Sequence, residues 1–332
     1  MSRDGWRCER IGGPMPPFPH HHGVADWAIV RFYVHVSPPA DILTIRSSCA
    51  ALFILCGIAS TLMCASAARA DPAARTYVGN FIGNDATPEN YLSVSGDVDR
   101  AESSESLYLE KTISPASSFS IFAGYQRFEQ EEESTTSSNF GVGYKHVLIS
   151  VPGHEFLCTI NPSIELPLGN LTQGSETHAR AGFDLLGQKG FGDLPDSLRL
   201  LRPAALESDW GWQSKVTGAR DDLTTADLEL EYSLAYLDAN VAPDSVPLAL
   251  RDLTPHLDFD YAQYLSAHRN SSAPDFELTP ALAWLNATCE INLGVQVELN
   301  RAASQTGAVA FVWLLGVSYD QIVPALGWAP FH

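Results

Sequence analysis

The sequence is poor in positive charge, and this already narrows what it can bind. Its 332 residues hold 20 lysines and arginines against 39 aspartates and glutamates, so the formal net charge is −19. Because an acidic chain repels phosphate, this balance argues against a nucleic-acid partner. The hydrophobic share of 45% is ordinary for folded proteins and excludes a largely disordered chain.

Long apolar runs are also scarce, and the one that stands out lies near the N-terminus. Residues 49–64 are mostly apolar or small, follow Arg46, and lead to Ala68-Arg69-Ala70 ahead of Asp71. A positive residue, an apolar core and an A-x-A exit are typical of a secretory signal peptide, so residues 46–70 are assigned to one. A single spanning helix is the alternative, but polar residues interrupt the run and no basic stop-transfer cluster follows. After Asp71, no run reaches about 18 apolar residues, which excludes helical spans.

The residues before this segment resemble no part of a signal peptide. Residues 1–45 carry Pro16-Pro17 and His20-His21-His22 without helical or strand periodicity. The histidines would suit a metal-binding tract. Because signal peptides belong at the N-terminus, we favour a translation start near Leu43, which makes residues 1–45 a wrongly assigned or disordered extension. The mature domain is then residues 71–332.

Cysteine is scarce in the mature domain. Cleavage would remove four of the six cysteines and leave Cys158 and Cys289. An exported chain can join such a pair as one disulfide. Both cysteines lie in strand-like runs, so two separate buried or lipid-facing thiols fit equally well.

The mature domain does contain a strong period of two. Apolar and polar residues alternate in Leu228–Tyr236 and Ile291–Leu299, and the pattern recurs in Phe119–Tyr125, Phe140–Leu148 and Val309–Tyr319. Side chains point alternately to the two faces of a strand, so each run predicts a strand with one apolar and one polar face. Such strands suit a soluble sandwich or a membrane barrel.

Several features favour the barrel. The apolar faces are rich in aromatics, the polar faces hold charges and glycines, and short turns alternate with longer polar loops, as in bacterial outer-membrane barrels. The sequence ends in the aromatic stretch Trp328–His332. Hydrocarbon offers no partners for an open sheet edge, so a lipid-embedded sheet must close. We predict an all-β fold: a transmembrane antiparallel β-barrel of about 12 strands in a Gram-negative outer membrane, with both ends in the periplasm.

The predicted strands can be placed along the chain. They lie near residues 91–98, 105–113, 118–128, 139–149, 155–168, 177–192, 198–212, 226–238, 254–264, 276–288, 291–301 and 308–322. Four prolines fall inside these segments: Pro162, Pro167, Pro203 and Pro280. Because proline has no backbone N–H to donate, we expect these residues near rims or at bulges.

If the apolar faces meet lipid, acidic residues line the lumen. Glu229 and Glu231 lie on the strand before that of Asp258 and Asp260, and neighbouring strands stand about 4.8 Å apart, so these carboxylates can cluster. Glu298 completes the candidate set. The same polar faces carry Gln126, Lys145, Asn292 and Gln296. Carboxylate rings select cations, so the set predicts a cation site or a cation-preferring lumen. The other interpretation, which we favour because charged barrel interiors are ordinary, is a wet lumen of solvated acids partly paired with Arg180 or Arg301.

Signs of catalysis are absent. No G-x-S-x-G surrounds a serine and no H-E-x-x-H occurs, so we predict no enzyme, no cofactor and no metal site. The predicted function is a channel or transporter for a small solute. Two alternatives stay open: an enzyme modifying lipid or lipopolysaccharide at the outer rim, and a filled-lumen barrel with a structural or surface-contact role. The expected partners are outer-membrane lipid, lipopolysaccharide and the barrel-assembly machinery.

One block resembles a known family. Gly187–Pro203 reads GQKGFGDLPDSLRLLRP and is similar to a signature of exported proteobacterial proteins named as outer-membrane transporters or "meta-pathway of phenol degradation" proteins. The residues that carry it are Lys189, Gly190, Gly192, Asp193, Leu194, Pro195, Arg202 and Pro203. Weaker likenesses occur at Tyr232–Leu237, Asn300–Ser304 and Tyr319–Pro324. The resemblance implies an outer-membrane barrel and brings no catalytic residues.

Overall fold

A computed structural model describes most of the mature domain. The described residues are 75, 77–79, 81, 85–98, 102–129, 134–168, 179–216, 222–265, 274–299 and 309–330. The predicted extension and signal peptide, residues 1–70, lie outside them.

Twelve antiparallel strands close into a barrel, in which each strand pairs with its neighbours in sequence and the first pairs with the last. The strands are β1 Tyr91–Val98, β2 Glu102–Ser114, β3 Ser117–Glu129, β4 Ser134–Val151, β5 Phe156–Pro167, β6 Arg180–Gly190, β7 Ala204–Lys215, β8 Leu223–Tyr232, β9 Leu253–Tyr264, β10 Asp275–Leu285, β11 Cys289–Glu298 and β12 Val309–Ser318. The predicted fold class and strand number are confirmed, and the sandwich alternative is wrong.

Short helical turns lie between or beyond the strands. They are Pro152–His154, Asp196–Leu201, Leu234–Tyr236, Leu237–Val241, Leu248–Leu250, Tyr319–Ile322 and Pro324–Gly327. None of the helices in the described residues is long and apolar enough to cross a membrane.

The alternation of residue types sorts side chains between the two faces of the barrel wall. On β8, Glu229 is fully buried inside, while Leu228 is 44% exposed on the outside. On β9, Asp258 is buried and Phe259 is 38% exposed. An apolar exterior around a polar interior is the reverse of a soluble protein and is the pattern of a barrel that faces lipid.

Two ends of the barrel can be distinguished. We call the end where β1 begins and β12 ends the proximal end, and the opposite end the distal end. Some proximal turns are short, as predicted, such as residues 115–116 and 286–288. The expectation of uniformly short turns at this end is nevertheless wrong, because residues 191–203 and 233–252 also connect strands there. Helical turns take up much of the length of both connections.

Two predicted strands extend too far into these connections. The strand predicted over 226–238 ends at Tyr232, because the side chain of Ser233 accepts a hydrogen bond from the Tyr236 backbone N–H and begins a helical turn. The segment Tyr232–Leu237 is therefore not a continuous strand. The strand predicted over 198–212 begins at Ala204, because the preceding residues form a 3-10 helix.

The four prolines lie at register breaks or strand ends, as expected. The β4–β5 register passes from Gly143–Ser163 to His146–Ile160 and skips Pro162. The β10–β11 register likewise skips Pro280 on the β11 side. Pro167 is the last residue of β5, and Pro203 precedes β7. The missing N–H groups thus fall at breaks or strand ends.

The two cysteines do not form a disulfide. Cys158, half-buried, and Cys289, buried, are both free thiols. Of the two interpretations of these residues, separate thiols are therefore correct.

The lipid-facing assignment gives a first prediction. Leu228 lies outward near the middle of β8, so Leu228→Arg should destabilise the barrel folded in a bilayer by about 2–4 kcal/mol. Urea titration of the barrel refolded into liposomes measures this change. Leu248→Arg is the matched control, because Leu248 is 79% exposed in a turn outside the barrel wall. Equal effects of the two substitutions would contradict the lipid-facing position of Leu228.

Candidate functional site in the lumen

The lumen is partly occupied by the chain that precedes β1. We call the described residues 75, 77–79, 81 and 85–90 the lumenal segment. Its backbone N–H groups donate to inward-facing carboxylates of the barrel wall. Val78 donates to Glu231 Oε2 at 3.1 Å, and Gly79 donates to Glu290 Oε1 at 2.7 Å. The segment thereby bonds to β8 and β11.

Other wall residues bond to the second half of the lumenal segment. Thr159 Oγ1 donates to the Ala86 carbonyl at 2.7 Å, and Gln188 Nε2 donates to Asp85 Oδ1 at 3.2 Å. The Glu89 N–H donates to Glu110 Oε1 at 2.9 Å. Contacts with β2, β5 and β6 are thus added to those with β8 and β11, which holds the segment across the width of the lumen.

An apolar contact fixes the middle of the lumenal segment. Phe81 is 8% exposed and packs in a small core with Val312 and Leu314, which point inward from β12. Its ring also stacks on His256 with the centroids 5.7 Å apart. Burying a phenylalanine side chain stabilises by about 1.5–3 kcal/mol, so this contact contributes to docking of the segment beside its hydrogen bonds.

The proximal end of the segment is anchored by Arg75. Its Nε bonds Glu155 Oε2 at 3.2 Å, and its Nη1 donates to the Pro203 carbonyl at 2.8 Å. Its Nη2 donates to the Arg202 carbonyl, and the guanidinium lies 4.2 Å from the centroid of the Tyr236 ring. Most of these partners belong to the proximal connections of the barrel.

The family-like block forms the turn that contacts this anchor. Within it, Lys189 Nζ pairs with Asp193 Oδ1 at 3.0 Å, and His154 Nδ1 pairs with Asp193 Oδ2 at 2.8 Å. The hydrogen bonds from His154 and then Lys189 hold the pKa of Asp193 below its usual range. The Gly192 N–H donates to Glu155 Oε2 at 3.1 Å.

The remaining residues of the block also have structural roles. A Cβ on Gly190 or Gly192 would meet a Glu155 carboxylate oxygen, so a larger residue at either position would displace the Glu155 side chain from Arg75. Arg202 Nε donates to the Leu194 carbonyl at 2.7 Å, and Pro195 precedes the 3-10 helix. The block shapes the proximal rim and, through Glu155 and the carbonyls of residues 202 and 203, the seat of Arg75.

The predicted carboxylates face one another on neighbouring strands. Glu229 is the register partner of Asp258, and the side chains of Glu229, Glu231, Asp258 and Asp260 are all buried, at 0–5% exposure. Glu298 is half-buried and is linked to this group only through Glu277, its register partner, which in turn pairs with Asp260. The structure therefore brings four of the five together directly.

Further acids extend this group, which we call the acidic wall. Its members are Glu207, Asp209, Asp227, Glu229, Glu231, Asp258, Asp260, Glu277 and Glu298. The sequence analysis missed four of these residues. Asp227 shares the parity of Glu229 and Glu231, so extending the alternation by one step would have found it. Glu207 and Asp209 required knowledge of the β7 register.

Two positively charged or chargeable side chains, His256 and Arg75, approach the proximal half of the acidic wall. His256 Nδ1 lies 3.0 Å from Asp258 Oδ1 and 3.2 Å from Glu229 Oε1. Arg75 Nη1 lies 4.0 Å from Glu231 Oε1. Both oxygens of Glu229 lack a hydrogen bond among the described residues. Because buried carboxylates are costly without protons or cations, the wall favours positive ligands.

A cavity of about 340 Å³ lies between the lumenal segment and β1–β5. Its lining is rich in hydroxyl groups and includes Ser93, Ser106, Ser120, Ser163 and Tyr108. It also contains an ion pair, in which Lys145 Nζ lies 2.8 Å from Glu110 Oε2. Carboxylates outnumber Lys145 in this lining too, but neutral hydroxyl groups are more frequent here than along the acidic wall.

The other predicted lumenal residues are distributed around these features. Lys145, Asn292 and Gln296 are buried inside the barrel, and Gln126 is half-buried. The Nε2 of Gln296 donates to Glu277.

Comparison with known proteins gives similarity of fold. The structure is similar to the KdgM porin, at TM-score 0.40 and 11% identity, with 69% of this chain and 98% of that chain covered. It is similar to the NanC porin, at TM-score 0.44 and 9% identity, with the same coverages. LpxR from Salmonella typhimurium follows at TM-score 0.39 and 9% identity, covering 68% and 99%. No family model and no curated protein matches the sequence.

The architecture itself defines the class of the protein. A closed antiparallel barrel, apolar outside and charged inside, satisfies every strand edge and presents hydrocarbon to lipid. The chain has the architecture of an outer-membrane β-barrel.

Proposed function

We propose that this barrel is a channel or transporter for a small polar solute and that its lumen favours cations. The observation that carries this proposal is the enclosed interior, in which an acidic wall on β7–β11 faces a cavity on the side of β1–β5. A lumen needed only for stability would be filled more cheaply by apolar packing than by buried carboxylates.

The cavity indicates the kind of solute. Its volume of about 340 Å³ fits a small molecule. Serine hydroxyls, the Tyr108 ring and the Lys145–Glu110 pair can bond a polyhydroxylated or zwitterionic solute on several sides.

Planar-bilayer recording of the purified, folded barrel tests the transport proposal. We expect ion conductance with K⁺ preferred over Cl⁻, and brief current blocks when a solute that fits the cavity is added. The matched control is the same preparation unfolded by heating, which should give no steps. A folded barrel that passes neither ions nor solutes under any condition would remove the transport proposal.

The lumenal segment favours one second candidate, a closed barrel with a structural or surface-contact role. Its bonds to wall residues on several strands would suit a permanent filling. The lipid-modifying enzyme has less support. Ser117 Oγ lies 2.7 Å from His146 Nδ1, but no carboxylate among the described residues contacts that imidazole to orient it. If the lipid profile of cells lacking the protein matches that of the wild type, the lipid-modifying function is excluded.

We also propose three assignments that rest on the sequence alone. They are the extension at 1–45, the signal peptide at 46–70, and membership of the family that Gly187–Pro203 resembles. Lipopolysaccharide and the barrel-assembly machinery are the proposed partners, as for other barrels of this membrane. N-terminal sequencing of the exported protein should find Asp71 first.

A further inference from the structure

Three side chains of different chemistry meet at the edge of the acidic wall. Glu229, His256 and Asp258 are fully buried on β8 and β9, and each offers a ligand atom within 4.8 Å of the others. His256 Nδ1 lies 3.0 Å from Asp258 Oδ1 and 3.2 Å from Glu229 Oε1. In a tetrahedral Zn²⁺ site, neighbouring ligand atoms stand about 3.4 Å apart, so small adjustments would admit the ion.

The neighbouring amide fixes the protonation of the imidazole. Asn292 Nδ2 donates to the Gly79 carbonyl at 3.1 Å, which turns its Oδ1 toward His256 Nε2, 2.8 Å away. An amide oxygen accepts only, so His256 Nε2 must carry the proton. Metal-bound histidines usually donate their second ring N–H to such an acceptor, which leaves the other nitrogen free to bind the ion.

The other ring nitrogen of His256, Nδ1, faces the carboxylates of Glu229 and Asp258, and this arrangement favours a positive charge between them. A neutral Nδ1 would point its lone pair at two carboxylate oxygens. Glu229 Oε2 and Asp258 Oδ2 are buried and accept no hydrogen bond from the described residues. Glu207 lies opposite Glu229 on β7 and adds more negative charge. A proton on Nδ1, a proton on one of the carboxylates or a metal ion between the three groups relieves this repulsion, and a divalent ion offsets the charge of both carboxylates at once.

We infer that Glu229, His256 and Asp258 form a binding site for a divalent first-row transition ion, with Zn²⁺ the best match to one imidazole and two carboxylates. Asn292 orients the imidazole, and Phe81 of the lumenal segment stacks over it. This assignment replaces the prediction that the chain holds no metal site. It does not depend on transport, because a closed barrel would bind the ion equally well.

Zinc binding by the full-length barrel, folded in detergent, tests the site. After chelation and equilibration with Zn²⁺, we expect one tightly held equivalent by elemental analysis and calorimetry. Glu229→Gln, His256→Gln and Asp258→Asn should each weaken binding at least tenfold. Asn292→Ala should weaken it by roughly 10–100-fold by releasing the imidazole. Glu277→Gln is the matched comparison: it removes a buried carboxylate of the same wall that is not a ligand, and it should weaken binding far less than the three ligand variants.

The test distinguishes zinc binding by these three ligands from non-specific binding of zinc to the acidic wall. No bound zinc in the folded wild type, or an equal loss in Glu277→Gln and Glu229→Gln, would overturn the assignment. Heat-modifiable gel migration shows which variants fold. If the ligand variants do not fold, X-ray absorption of the zinc-loaded wild type decides: one imidazole nitrogen with oxygen ligands supports the site, and oxygen ligands alone refute it.

Discussion

Deleting residues 75–88 should raise the single-channel conductance several-fold. The lumenal segment crosses the interior and bonds to wall residues on several strands, so its removal frees the part of the lumen that it occupies. The strands need not change, because every strand pairs with its neighbours in the wall. Planar-bilayer recording of the deletion variant beside the full chain measures the change.

A point variant shows the effect of weakening the docking of the lumenal segment without deleting it. Phe81→Ala removes the packing against Val312 and Leu314 and should cost about 3–5 kcal/mol locally, which produces transient openings rather than a permanently wider pore. Leu200→Ala is the control, since Leu200 is 61% exposed at the proximal rim. If the deletion leaves the conductance at the full-chain value, the segment does not obstruct the ion path.

The period-two pattern made the barrel predictable but not its contents. In β8, the alternation around Glu229 and Leu230 predicts a strand and also which side chains face lipid and which face the lumen. It does so because one face of the strand meets lipid and the other meets an enclosed interior. The lumenal segment has no such periodicity. Its partners, such as Glu231 for Val78 and Glu290 for Gly79, are distant in sequence and are set by the closure of the barrel.

Some missed features did leave a local signal. Val312 and Leu314 alternate with Trp313 and Leu315, so β12 is apolar on both faces. A strand that is apolar on both faces must be covered on both sides, here by lipid outside and by Phe81 inside. The site residue His256 shares the parity of Asp258 and Asp260, so the alternation places it in the lumen, but its link to Asn292 requires side chains from β9 and β11 to meet and left no local signal.

The acidic wall gives the second large prediction. Replacing Glu229 and Glu231 by Gln, and Asp258 and Asp260 by Asn, should lower the K⁺/Cl⁻ permeability ratio by roughly tenfold, equal to about 1.4 kcal/mol of preference. Each substitution keeps a polar, similarly sized side chain but removes a buried negative charge. The amide oxygen that Glu231→Gln introduces would still accept the bond from the Val78 N–H, so the lumenal segment keeps this contact. Reversal potentials in a salt gradient, recorded with chelator to exclude bound zinc, measure the ratio.

A charge outside the lumen supplies the control for this variant. Glu105 is exposed on β2, and its neighbours Ser104 and Ser106 turn inward. Glu105→Gln therefore removes one negative charge outside the lumen and should leave the permeability ratio unchanged. If the quadruple variant also keeps the wild-type ratio, permeating ions do not pass the acidic wall. Its carboxylates would then be neutralised in place, by shared protons or by a resident cation, and the wall would serve binding rather than selectivity.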